Sequence, residues 1–282
     1  MDYLISAMLG VVEGLTEFLP ISSTAHLRVV EKLFNLPLES PFWKTYTIVI
    51  QLGAVLCLPV YFWRRILKFV STFPRGERGD RNVLTHPLSL TLLAFVVTAI
   101  PAFLLAKVIG DNLESLKVIG SAMLIGGAVM WAVDALYTRP NTNHMEEMSP
   151  LQAIWIGAAQ ILAAVFPGTS RSMATIAAGQ TVGMSRAAAL EFSFFVSIPT
   201  MFAATGYALF KAVRHKADAT SLSPAAMTSH EVILLVIGFV VSFIVALGSV
   251  AFLMAWVRRR GFVPFAIYRI VLGLIILIWA MR

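Results

Sequence analysis

Glu13 and Glu17 stand four residues apart in an otherwise apolar stretch. On a helix that spacing puts both carboxyl groups on one face, with Cβ atoms about 5–6 Å apart. Two acids so placed either share a hard divalent cation or hold one member protonated as an acid–base group. Solvation of both acids at an interface is the plainer alternative. Next comes Pro20-Ile21-Ser22-Ser23-Thr24-Ala25-His26. Proline ends a helix, and Ser22, Ser23 or Thr24 can cap the following one. His26 falls one turn after Ser23, so hydroxyl and imidazole make a nucleophile–base pair in outline. Capping is the commoner use of such hydroxyls. The acids and the histidine beside them favour chemistry.

A second cluster reads Pro167-Gly168-Thr169-Ser170-Arg171-Ser172. Backbone N–H groups at a helix start, serine hydroxyls and a guanidinium fork make an anion site suited to phosphate. An arginine snorkelling to the surface is the plainer reading. If the two clusters meet, donors from both and acids from one surround a single point. Such a point suits a phosphorylated headgroup whose tail stays in lipid.

The elements that must carry these clusters follow from composition. The chain is 58% hydrophobic and 13% charged, against about 25% charged in soluble domains. A bilayer must therefore be its solvent, and one membrane domain, residues 1–282, is the economical organisation. The net charge of +7 fits basic loops and anionic lipid headgroups. No aromatic-studded basic patch points to nucleic acid. The lone Cys57 excludes an intrachain disulfide and a cysteine metal site. The first residues lack a positive region and two acids interrupt the apolar run, so no cleaved signal peptide is expected.

Six stretches are long enough to span: 42–63, 87–109, 116–137, 187–211, 231–257 and 262–281. Residues 3–34 and 150–182 are instead broken by Pro, Ser and Thr, and read as re-entrant hairpins. The two breaks align without gaps, Gly10 on Gly157, Glu13 on Gln160, Pro20 on Pro167 and Ser23 on Ser170. The expected fold is an all-α polytopic membrane protein of six transmembrane helices and two re-entrant hairpins. It divides into two inverted-topology repeats, 1–140 and 150–282, a design shared with transporters. Arginine-rich residues 64–81 and 258–260 should be cytoplasmic. Lys211, Arg214 and Lys216 fall on the wrong side of that scheme. Glu191 is expected to pair with Arg186 or Arg269, and Gln51 to hydrogen-bond between helices. Glycines 120, 126 and 127 should allow close helix packing. His86, His144, His215 and His230 read as loop residues without a metal role.

At these motifs the chain resembles the undecaprenyl-diphosphate phosphatase family, the bacitracin-resistance membrane phosphatases. The matching stretches are Glu13–His26, Pro167–Ser172, Glu191-Phe-Ser-Phe-Phe-Val-Ser-Ile-Pro199 and Pro264-Phe-Ala-Ile-Tyr268-Arg269. The resemblance implies removal of the terminal phosphate of undecaprenyl diphosphate, which regenerates the lipid carrier of cell-wall synthesis. It implies a homodimer in the inner membrane, an active site open to the periplasmic side, and Mg²⁺ or Ca²⁺. Carried residue by residue, it places the metal at Glu13 and Glu17. It gives catalytic roles to Glu17, Ser23, His26 and Arg171. Ser22, Thr24, Gly168, Thr169, Ser170 and Ser172 surround the phosphates. Ser23 is the preferred nucleophile with His26 as its acid–base partner; a phosphohistidine or direct attack by water are alternatives. Ala25 and Met173 replace family glycines, and Met173 is expected to narrow the anion pocket or alter prenyl selectivity. Two rival classes are a flippase for polyprenyl phosphate or another anionic lipid, and a non-catalytic resistance or scaffold protein.

Overall fold

The computed structural model describes residues 2–37, 40–112, 115–214 and 228–281. His215 and Lys216 lie outside them. Among the described residues the regular structure is helical, apart from one isolated bridge between Thr142 and Met184.

The first break separates α1 (Asp2–Thr16) from α2 (Ser23–Leu33). Then follow α3 (Pro41–Tyr61), α4 (Trp63–Thr72), α5 (Pro87–Leu104), α6 (Ala106–Asn112) and α7 (Leu116–Leu136). The second break separates α8 (Pro150–Val165) from α9 (Arg171–Thr181), and α10 (Arg186–Arg214), α11 (Ser229–Val257) and α12 (Val263–Ala280) complete the chain. Helices α3, α5, α7, α10, α11 and α12 are long and apolar enough to cross a bilayer. The chain is a multi-pass membrane protein. At about 1.5 Å per residue, α1, α2, α8 and α9 are each shorter than a hydrocarbon core of about 30 Å.

Two expectations are corrected here. The apolar run 87–109 is two helices, broken at Leu105. Pro101 has no N–H to give the preceding turn, and α5 ends one turn later. His230 is not a loop residue: it lies in the first turn of α11, against the Tyr3 hydroxyl. His86 does close a loop, buried at the N-cap of α5, where its Nδ1 accepts from the Leu88 N–H at 3.2 Å.

Helix pairing follows a two-fold pattern. α1 packs on α11 as α8 packs on α5; α3 packs on α11 as α10 packs on α5; α7 pairs with α12, and α3 with α10. The glycines that align between the two breaks have matching work. A Cβ on Gly10 would stand 2.7 Å from the Gly238 carbonyl oxygen on α11, and one on Gly157 would stand 2.5 Å from that of Ala94 on α5. No side chain larger than hydrogen fits either crossing, so each short helix lies directly on its neighbour's backbone.

Ion pairs hold the ends of the bundle. Glu191 pairs with Arg65 of α4 (2.7 Å), not with Arg186 or Arg269, and Arg65 also donates to Glu146 at 2.9 Å. Arg186 is taken by Asp134 on α7, which it meets at 2.6 Å. The other Asp134 oxygen accepts from the Phe262 N–H at 2.9 Å, at the start of α12. Asp134 is buried, while Arg186 keeps access to solvent. Replacing Asp134 with alanine is expected to cost about 2 kcal/mol, the scale of hydrogen bonds to a charged group. A lower thermal unfolding midpoint in detergent would report it.

Candidate active site

Both breaks end on a serine that caps the next helix. Ser22 accepts from the Ala25 N–H and Ser170 from the Met173 N–H, each at 3.4 Å. Both serines have positive φ, 73° and 68°. Non-glycine residues rarely adopt that conformation, and when they do they cluster at functional sites. The matching caps correct the gap-free alignment. Proline to cap is Pro20-Ile21-Ser22 in the first copy and Pro167-Gly168-Thr169-Ser170 in the second. The second break carries one extra residue, and Gly168 takes φ 97° to accommodate it. The structural partner of Ser23 is therefore Arg171, not Ser170. Each is the first residue of its helix.

These two residues meet on Glu17. The Ser23 hydroxyl donates to Glu17 Oε2 at 2.6 Å, and Arg171 Nη2 donates to Glu17 Oε1 at 3.3 Å. A second tip-to-tip bond runs from the Ser172 hydroxyl to the Leu19 carbonyl at 3.1 Å. All three side chains of the Ser23–Glu17–Arg171 chain are largely buried. Arg171 Nε is buried without a partner, so the guanidinium has an unspent donor. The chain opens on a polar chamber of about 150 Å³ lined also by Ser22, Thr24, Gln51, Gly168 and Ser170. The sequence-read clusters of the two breaks thus share one cavity.

Not every expected residue reaches it. His26 does not meet Ser23. Its Nδ1 lies 2.7 Å from the Ser22 carbonyl and its Nε2 lies 2.6 Å from the Tyr268 hydroxyl, with the two rings stacked. The carbonyl can only accept, so Nδ1 carries the proton. Spacing along α2 allowed the serine–histidine contact, but the carboxylate across the break takes the Ser23 proton donor and the imidazole turns outward. His26 faces an apolar groove of about 670 Å³ that includes Leu15, Phe252, Trp256 and Phe265. Thr169 and Ser172 are not on the chamber wall either; Ser172 bridges Ser170 and Leu19. Met173 does not narrow the chamber. Its side chain is buried in the core beside Gly126 of α7. Gln51, expected to bridge helices, lines the chamber.

Glu13 is fully buried one turn behind Glu17, and neither of its carboxylate oxygens has a hydrogen-bond partner. Its aligned counterpart, Gln160, instead donates to Thr98 and Thr200, each at 3.2 Å. Ser23 and Arg171 serve Glu17, so the Glu13 oxygens are the acceptors that lack a proton or a cation. Among the described residues no three His, Cys, Asp or Glu side chains gather to hold a metal. The orphaned Glu13 oxygens beside Glu17 would suit a hard cation that takes two carboxylates and completes its shell with water and phosphate oxygens, the usual habit of Mg²⁺. The arrangement as a whole joins a hydroxyl, a base in contact with it, an arginine and two helix starts. That set can hold a phosphoryl group and transfer it.

Sequence reasoning missed Tyr268 and misassigned Arg269. The only signal for either was their place in the shared Pro264–Arg269 stretch. The chain matches the family described as bacitracin resistance protein BacA over residues 6–275. Among curated relatives, it is 61% identical to the undecaprenyl-diphosphatase of Koribacter versatilis, with 99% of each chain covered. It is 40% identical to that of Rhizobium etli (strain CIAT 652), over 98% of this chain and 97% of the relative. It is 35% identical to that of Deinococcus radiodurans, over 100% and 97%. With the match running through both breaks and all six long helices, the chain belongs to the bacitracin resistance protein BacA family.

Proposed function

We propose that this protein hydrolyses undecaprenyl diphosphate to the monophosphate and inorganic phosphate, which recycles the lipid carrier for cell-wall synthesis and gives bacitracin resistance. The observation that carries the reading at this site is the Ser23–Glu17–Arg171 chain joining the two breaks across one chamber. The terminal phosphate lies there, held by Arg171, Ser170 and the exposed N–H groups of α2 and α9. Ser23 Oγ attacks phosphorus; the bond to the bridging oxygen breaks and undecaprenyl phosphate leaves. The Ser23 proton passes to Glu17 Oε2, already 2.6 Å away. Water then attacks the phosphoserine phosphorus; the bond to Ser23 Oγ breaks, Glu17 returns its proton to Oγ, and the proton of the attacking water leaves with inorganic phosphate. Arg171 neutralises charge on the transferring group throughout. A divalent cation, Mg²⁺ or Ca²⁺, would be held by Glu13 and Glu17 and would supply charge neutralisation at the phosphates.

The prenyl chain takes the apolar groove edged by His26 and Tyr268. The two short helix pairs enter and leave the bilayer on one side each. The protein sits in the bacterial inner membrane as a homodimer, with its chamber opening to the periplasmic side. Release of inorganic phosphate from undecaprenyl diphosphate by the purified protein in detergent tests the reading. No release with any divalent cation would overturn it. The two-fold pairing of helices also suits a carrier of anionic lipid; transfer of labelled polyprenyl phosphate between vesicle leaflets without hydrolysis would favour that class. Metal dependence gives a separate check. Replacing Glu13 with glutamine is expected to raise the Mg²⁺ concentration for half-maximal activity about tenfold or more. An unchanged metal titration would remove Glu13 from the cation site.

A further inference from the structure

Arg269 is a buried charge without an acid. It has no exposed surface, yet among the described residues no carboxylate accepts from it. Its guanidinium donates to four backbone carbonyls: Pro20 at 3.2 Å, Ala122 at 3.2 Å, and Gly168 and Thr169 both at 2.9 Å. Pro20 belongs to the first break, Gly168 and Thr169 to the second, and Ala122 to α7. An uncompensated charge at membrane depth is costly. So are carbonyls freed from a helix where water cannot reach. Through its two Nη groups one side chain offsets both costs, its Nε alone staying without a partner, and so ties the two breaks together. The space for it is prepared: a Cβ on Gly126 of α7 would collide with Arg269 Nη2, and one on Gly168 would collide with the Ile119 carbonyl.

We propose that Arg269 is a positioning residue, which clasps the two breaks through their carbonyls and thereby fixes the separation of Ser23 and Arg171. It does not touch the substrate. The planar fork is what the role requires, because its nitrogens serve carbonyls from three elements at once. A lysine ammonium keeps the charge but is a compact donor that cannot span them. The inference rests on the phosphatase reading above.

Two variants test it, Arg269→Lys and Gly126→Ala, the second crowding the guanidinium while keeping every donor and acceptor. Misplacement of about 1 Å costs roughly 100-fold in rate. Arg269→Lys is therefore expected to lower kcat about 100-fold with KM within threefold of wild type, and Gly126→Ala to act in the same direction. Spin labels at Leu33→Cys on α2 and Leu151→Cys on α8, in a Cys57→Ser background, report the relation of the two helix pairs. Their distance distribution should broaden in both variants. Asp134→Ala serves as the control for general destabilisation. Wild-type kcat and an unaltered distance distribution in both variants would overturn the clasp. So would an equal loss of kcat in Asp134→Ala at a matched unfolding midpoint. If Arg269→Lys does not fold, Gly126→Ala decides alone. Should the wild-type protein release no phosphate, the phosphatase reading fails, while the label distances still accept or reject the clasp.

Discussion

Replacing Arg171 with alanine is expected to lower kcat/KM for undecaprenyl diphosphate by about 10³-fold. Three effects act together. The chamber loses the donor that faces the transferring phosphate, including the unpartnered Nε. Glu17 loses its only ion-pair partner among the described residues. The buried acids Glu13 and Glu17 are then left without a cation of the protein's own. Arg171→Lys should recover only part of the loss, because a point charge cannot serve Glu17 and a phosphate in one plane. Steady-state phosphate release, with protein content matched by unfolding midpoint, measures both variants. Activity of Arg171→Ala within tenfold of wild type would mean that the chamber does not hold the phosphate.

Ser23→Ala should be as severe, at about 10³-fold in kcat or more, and should spare KM. The variant keeps the cap, which Ser22 supplies, and keeps the Glu17–Arg171 pair. Only the attacking hydroxyl is lost. Residual turnover would come from water attacking a phosphate still held by Arg171 and the helix starts, so the variant is not expected to be silent. Near wild-type kcat would exclude Ser23 as the nucleophile.

These expectations differ from what residue spacing alone suggests, and the differences have physical causes. The two broken segments and the six long helices were legible because each rests on local patterns: prolines, hydroxyls and apolar run lengths; the meeting of the clusters was only a condition. Contacts across the breaks were not legible. Ser23 and His26 lie one turn apart on α2, but backbone geometry at Ser22 turns the imidazole to its carbonyl and to Tyr268. The Glu17–Ser23 bond crosses a non-helical turn, where helical spacing says nothing. The extra residue in the second break was hidden because the prolines align while the caps do not. Met173 looked obstructive beside an anion loop, yet its position on α9 carries it into the core against Gly126. Arg269 had no acidic neighbour in sequence because its partners are carbonyls, which sequence does not mark. Asp134 capturing Arg186 was equally invisible, since the two residues come from different halves of the chain.

The central claim is that the two breaks form one phosphoryl-transfer chamber with Ser23 as its nucleophile. Rapid quenching of the protein with terminally labelled undecaprenyl diphosphate, followed by location of the phosphate on the chain, tests it most directly. The account predicts phosphate on Ser23 that is stable to acid, and no label in Ser23→Ala. Acid-labile phosphate on His26 would contradict it.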